Sequence, residues 1–203
     1  MYIPKLFREE DREEILSFLG QNNFATVVSY DGERPVATHT PVEVVETGDG
    51  GLVVYGHFSG ANPQRKSLIG QEILLIFQGA HTYISARWYN HVNVPTWNYM
   101  IVHLYGTARL VEGEELYGLL SRLVQHHEPD SAYRLESLPQ DFVKKEMKGV
   151  FGFAVDITRV EAGYKLSQNR NDEDYRKIIH ELDRREDDAS KNVAGAMRRK
   201  RPQ

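Results

Sequence analysis

Apolar and polar residues alternate with a period of two along most of this chain, and four short stretches switch to a helical period. Phe24 to Ser29 reads as a strand, Asp31-Gly32 as a hairpin turn, and Pro35 to Thr40 as the returning strand. Val42 to Glu46, the turn Gly48-Asp49-Gly50-Gly51 and Leu52 to His57 repeat that pattern. Further strands are predicted at Glu72 to Phe77, Thr82 to Arg87, Trp97 to Val111 and Gly149 to Val160, where Val150, Phe151, Phe153, Val155 and Ile157 mark the apolar positions. That is enough antiparallel strand to close or nearly close a barrel. The helical period appears near residues 9 to 20 (Ile15, Leu16, Phe18, Leu19, then Gly20 as a stop) and over Gly113 to His126 (Leu116, Leu119, Leu120, Leu123, Val124). It returns over Pro139 to Met147 and over Asp172 to Asp187, with Tyr175, Ile178, Ile179 and Leu182 on one face. The residues from Asp188 onward are small and charged and read as a frayed tail. The expected organisation is one mainly β, α+β domain over residues 1–187 with peripheral helices, followed by a charged, flexible tail over 188–203.

Composition narrows the function. Lys and Arg total 25 against 29 Asp and Glu, a formal charge of -4, so contact with DNA would need a local patch. The basic sources are Arg198, Arg199, Lys200 and Arg201 at the chain end, plus Arg65 and Lys66. No helix-turn-helix, zinc finger or ribbon motif stands out. With no cysteine, thiolate metal sites and cysteine nucleophiles are excluded, and redox chemistry would require a borrowed cofactor. The start of the chain lacks an apolar signal core, and no run approaches the roughly 18 apolar residues of a membrane span, so a cytoplasmic protein without membrane contact is expected. Eight histidines raise the question of metal, but none has helical i, i+4 ligand spacing and no acidic partner recurs, so no metal site is assigned.

Gly60-Ala61-Asn62-Pro63 breaks the sheet, with Asn62 as cap and Pro63 at the first helical position of a short helix reaching about Ile69. A helix start presents unpaired amides and a positive dipole end, and Gln64, Arg65, Lys66 and Ser67 lie in its first turns, which together would suit a phosphomonoester. The competing reading is an ordinary capped surface helix with solvated basic residues. Thr38 and Thr40 share one strand face and His39 the other. Trp97, Asn98 and Tyr99 either close a pocket or pack a core.

Three ordered segments carry a resemblance. M-Y-I-P-K-L-F at residues 1 to 7, A-T-H-T-P at 37 to 41 and Y-K-L-S-Q-N-R-N at 164 to 171, together with the stretch from Val53 to Val111, closely resemble the PaiB family of FMN-binding negative transcriptional regulators. The resemblance implies an antiparallel FMN-binding split β-barrel working as a homodimer, with repression of protease production and sporulation as its role, exerted on DNA directly or through a partner protein. It also implies FMN as cofactor, its phosphate near Asn62, Gln64, Arg65, Lys66 and Ser67. The ring would lie against Thr38, His39, Thr40, Tyr55, Gly56 and His57, with Trp97 and Asn98 reaching in from the second subunit. Relatives usually carry an aromatic residue where this chain has Arg65 and leucine where it has Thr40, so Lys66 is the firmer phosphate ligand. Heme is the second candidate cofactor, since some split barrels bind it in place of flavin. The alternative function is an FMN-dependent oxidoreductase, although no nucleophilic triad or paired acid and base is visible. For the Lys165 to Asn171 motif the sequence leaves ligand binding, helix capping and a dimer contact open, with a structural role favoured and Asn171 as cap.

Overall fold

Alternation places Ala25, Val27 and Ser29 on the inward face of strand β1 (Phe24–Tyr30), and the same logic builds the rest of the sheet. The computed structural model describes residues 1–201. Its other strands are β2 (Pro35–Glu46), β3 (Leu52–Ser59), β4 (Glu72–Ile84), β5 (Thr96–Val111) and β6 (Val150–Lys165). The helices are α1 (Arg12–Gln21), α2 (Gly113–His127), α3 (Gln140–Met147), α4 (Asp172–Asp183) and α5 (Asp188–Lys200). The described residues fall into two compact units.

The first unit, Leu19–Phe77 with His103–Val160, holds β1, β2 and β3 and part of each of β4, β5 and β6. Strands are bonded in the order β1-β2-β3-β6-β5-β4, and β4 closes on β1 through Thr26 opposite Ile76. The pairs β1–β2, β2–β3 and β3–β6 are antiparallel. Val27, Val54, Leu75, Phe77, Leu104, Phe153 and Val155 fill the interior and are wholly shielded from water. Gly56 is required there: a Cβ would sit 2.5 Å from the ring of Phe153, which is packed at 4.9 Å between centroids on Phe58. Gly106 meets the facing strand still more closely, since a Cβ would lie 2.2 Å from the carbonyl oxygen of Asp156. On the outer surface α2 sets Leu116, Leu119 and Leu123 against Ala154, with Val53 and Tyr55 packed beside them. At about 1.5–3 kcal/mol for each buried leucine, that stripe holds the helix on the sheet.

The second unit comprises Met1–Phe18, Gln78–Val102 and the chain from Glu161 onward. Here α4 and α5 pack on each other. Tyr175, Ile178, Ile179 and Leu182 of α4 are buried, as are Val193, Ala194, Ala196 and Met197 of α5.

Several elements depart from the sequence expectation for identifiable reasons. Pro35 to Glu46 is one strand: it pairs with β1 as far as Pro41 and with β3 from Val42, so the proline falls where the ladder changes partner. Likewise β4 runs on through Gln78-Gly79-Ala80-His81, because Gly79 lies beneath the ring of Phe18, leaving 2.5 Å for a Cβ. The helix expected near Ile69 is a single 3-10 turn, Pro63–Ser67. The helix expected to reach Asp187 stops at Asp183. The expected frayed tail is instead α5, capped by the Asp187 carboxylate, which accepts from the Ser190 amide at 2.8 Å. Only residues 202 and 203 of that segment lie outside the described residues.

Candidate functional site

The turn after β3 is locked from the inside. Asn62 caps it, its Oδ1 accepting from the Gln64 amide at 2.9 Å while its Nδ2 donates to the Thr38 hydroxyl at 2.8 Å. Thr38 in turn donates to Gln64 Oε1 at 2.6 Å. The Gln64 side chain, 4% exposed, runs beneath the sheet and donates from Nε2 to Val27 O and Ser29 Oγ at 3.0 Å and to Val36 O at 3.3 Å. Ser67 closes the turn by donating to Gln64 O at 3.2 Å, and buried Leu68 anchors its far end. Thus Thr38, Asn62, Gln64 and Ser67, all expected to face a ligand, are brought together but bonded to one another and to the strands. The amides expected to meet a phosphate are also engaged, Gln64 N with Asn62 Oδ1 and Arg65 N with Asn62 O at 3.3 Å.

Arg65 and Lys66 project outward from this lock. Both are exposed, and no acidic side chain among the described residues pairs with either. Two unpaired cations one residue apart on a fixed turn suit the phosphate of a nucleotide, each charged hydrogen bond contributing about 1.5–3 kcal/mol.

Along the adjoining strands the expected residues divide. The Thr40 hydroxyl donates to His57 O at 2.8 Å, joining two of them. His57 itself is half-buried, and its Nδ1 is shielded from water with no hydrogen-bond partner. Burial pushes its pKa below the ordinary histidine value, so the ring is neutral at neutral pH and Nδ1 is an unfilled polar position. His39 is exposed, 2.9 Å from the Thr26 hydroxyl. Tyr55 is packed beneath α2, its hydroxyl accepting from Arg109 at 3.3 Å, with the Arg109 and Arg122 guanidinium groups 5.8 and 5.5 Å from its ring centre. In the other unit Trp97 is 52% exposed beside His81 and Tyr83. Asn98 is wholly buried there, accepting from Ser167 Oγ at 3.1 Å and donating to Met197 Sδ at 3.6 Å.

Residues 1–159 match the family model described as "Putative FMN-binding domain". The chain belongs to this family. A similar protein of Bacillus subtilis (strain 168), "Protease synthase and sporulation protein PAI 2", is 39% identical over 200 residues, covering 97% of this chain and 96% of its own. Among solved structures, the flavocytochrome Anf3 from Azotobacter vinelandii superposes with a TM-score of 0.65 at 22% identity, covering 86% of this chain and 78% of its own. The FAD and heme binding protein from Mycobacterium smegmatis gives 0.64 at 20% identity, covering 82% and 78%. These likenesses show the fold, a split β-barrel. The family points to FMN as the cofactor. The residues fit it through the unpaired cations Arg65 and Lys66 and the vacant hydrogen-bonding position on His57.

The motif at residues 165 to 171 is a strained connector. Ser167 adopts a φ of 62°, a left-handed backbone unusual for a residue with a side chain. Its neighbours hold it there: Gln168 accepts from Leu166 N at 2.7 Å and donates to Tyr164 O. Asn171 caps α4 by accepting from Asp174 N at 2.8 Å, and Asp174 accepts in return from Asn171 Nδ2 at 3.1 Å. The return bond comes from the Asn171 side chain and not from its backbone amide, so the arrangement is only a partial capping box.

The basic run ending α5 is largely engaged with acids of its own unit. Arg198 pairs with Asp183, Lys200 with buried Glu9 at 2.6 Å, and Arg201 with Asp172. Among the described residues no group of acids and histidines has metal-binding geometry, and no helix is long and apolar enough to cross a membrane.

Proposed function

We propose that this chain is an FMN-binding negative regulator of the PaiB kind that lowers protease production and sporulation. The observation that carries the reading is the turn after β3, where an internal network leaves Arg65 and Lys66 exposed with no counter-ion among the described residues. Lys66, with Arg65 beside it, would hold the FMN phosphate, and the lock beneath them keeps both cations in place as the ligand arrives. His57 Nδ1 would offer a hydrogen-bonding group to the ring, its neutral imidazole matching an uncharged edge. When bound, FMN supplies reversible two-electron chemistry, which suits a sensor of redox state.

A cytoplasmic homodimer is the expected working form, with exposed Trp97 as a candidate contact with the second copy. Because Arg198, Lys200 and Arg201 are paired with acids, promoter contact is better supplied by another surface or by a partner protein. The test is a fluorescence titration with FMN. Lys66→Ala should weaken binding by on the order of tenfold, the loss of one charged hydrogen bond, while the thermal midpoint stays within about 1 °C. Unchanged flavin affinity would remove Lys66 from the site.

A further inference from the structure

Among the described residues from Arg170 to Arg201, each arginine has an acidic or hydroxyl partner for its guanidinium except Arg170 and the exposed Arg176 and Arg199. Arg170 is the partly buried one. Its guanidinium lies 4.7 Å from the ring centre of Tyr89, and its Nε is shielded from water with nothing to donate to. In the same motif is Lys165, at the end of β6, whose ammonium donates to the Thr96 hydroxyl and to no other group among the described residues. Tyr89 is 6% exposed, and its hydroxyl is likewise buried without a partner. The three acids that open α4 are turned elsewhere: Asp172 pairs with Arg201, Glu173 accepts from Asn90 at 2.8 Å, and Asp174 accepts from the Asn90 amide at 2.9 Å.

Among the described residues no carboxylate pairs with either of these two half-buried cations; like-charged and poorly solvated, they form a combination that a bound anion relieves. Burial, and after it the charge of Arg170, holds the Lys165 ammonium below the ordinary lysine range. Stacking on Tyr89 fixes the plane of the Arg170 fork, leaving Nε as one prong of a bidentate donor.

We propose that Lys165 and Arg170 form a second ligand site, built from other residues than those of the turn after β3, that binds an oxyanion: the phosphate or carboxylate end of a small effector. It gives the Lys165 to Asn171 motif a recognition role in addition to its turn. The Tyr89 hydroxyl, buried without a partner in the residue on which Arg170 stacks, would offer such a ligand a neutral donor.

The experiment is an NMR titration of the full chain that follows the Arg170 Nε–H resonance, with inorganic phosphate or acetate added against chloride at constant ionic strength. The expected result is a saturable downfield shift. Response to phosphate alone assigns a phosphate ligand, and response to acetate alone a carboxylate. Lys165→Gln should raise the dissociation constant at least about tenfold, the effect of losing one charged hydrogen bond, whereas Lys148→Gln, an exposed lysine elsewhere, should leave it unchanged. Arg170→Lys keeps the charge but loses the fork, and the Lys165 ammonium resonance then reports weaker binding. No saturable shift with either anion, or equal affinity in the parent and Lys165→Gln, overturns the proposal.

Discussion

Replacing Gln64 by alanine tests whether the turn after β3 is held by the network described above. The substitution removes one acceptor for the Thr38 hydroxyl and the donor serving Val27 O, Ser29 Oγ and Val36 O. At about 1 kcal/mol for each buried group left without this partner, and allowing that one Nε2 shares its two protons among three acceptors, the loss is about 3 kcal/mol. For a chain of this size each kcal/mol lowers the midpoint by about 2–4 °C, so thermal unfolding followed by circular dichroism should shift down by about 6–12 °C. Gln64→Glu supplies the control, since it keeps the shape and the acceptor but at neutral pH has no proton for the two carbonyls and places a charge in a buried site. Its deficit should exceed that of the alanine variant at pH 7 and shrink as the pH approaches 4. A midpoint for Gln64→Ala within about 2 °C of the parent would refute the claim that this side chain holds the turn.

Three further outcomes follow from particular contacts. Gly106→Ala drives a methyl group into the backbone of Asp156, which cannot move aside as a side chain could, so a loss of at least about 3 kcal/mol is expected in a denaturant titration. His57 has a folded pKa below its unfolded value, so the unfolded chain takes up the proton first; its contribution to stability is complete above about pH 6.5 and declines as the pH falls toward the folded value. Proton NMR should find His57 titrating below about 6.5, and His57→Gln should flatten the stability profile in that window. Ending the chain after Asp187 removes buried Val193, Ala194 and Met197 and leaves the Tyr175 hydroxyl without the Met197 carbonyl it reaches at 2.7 Å. Hydrogen exchange in α4 should then accelerate by orders of magnitude, whereas a flexible tail could be removed without effect.

What the sequence made legible was local. Asp31-Gly32 announces its hairpin because the Asp31 carboxylate accepts from Glu33 N and Arg34 N at 2.9 Å, a bond pattern within four residues. The leucines of α2 and the cap at Asn171 are legible for the same reason. Misreadings arose where the deciding contact was distant. Gly79 looked like a break because nothing near it in sequence signals that Phe18 lies across it. The α5 signal was present but diluted: Val193 and Met197 are four apart, Asp187 stands three before Ser190, and the charged residues between them suggested solvent. For Gln64 the sequence was silent on one role and not in error: its bonds span 26 to 37 residues, so no local pattern distinguished holding the turn from meeting a ligand.

That distinction also separates two requirements that the sequence had merged. Thr38, Asn62 and Gln64 satisfy one another and the strand carbonyls, so the turn reaches its shape without any ligand. The side chains of Arg65 and Lys66 take no part in that network and stand exposed to water. Substitutions in the first group should therefore lower stability and flavin affinity together, since the cations lose their footing. Substitutions in the second should lower affinity alone. If Asn62→Ala were to weaken FMN binding while leaving the thermal midpoint untouched, Asn62 would have to be a direct ligand, and the division between an inner lock and an outer pair of cations would fail.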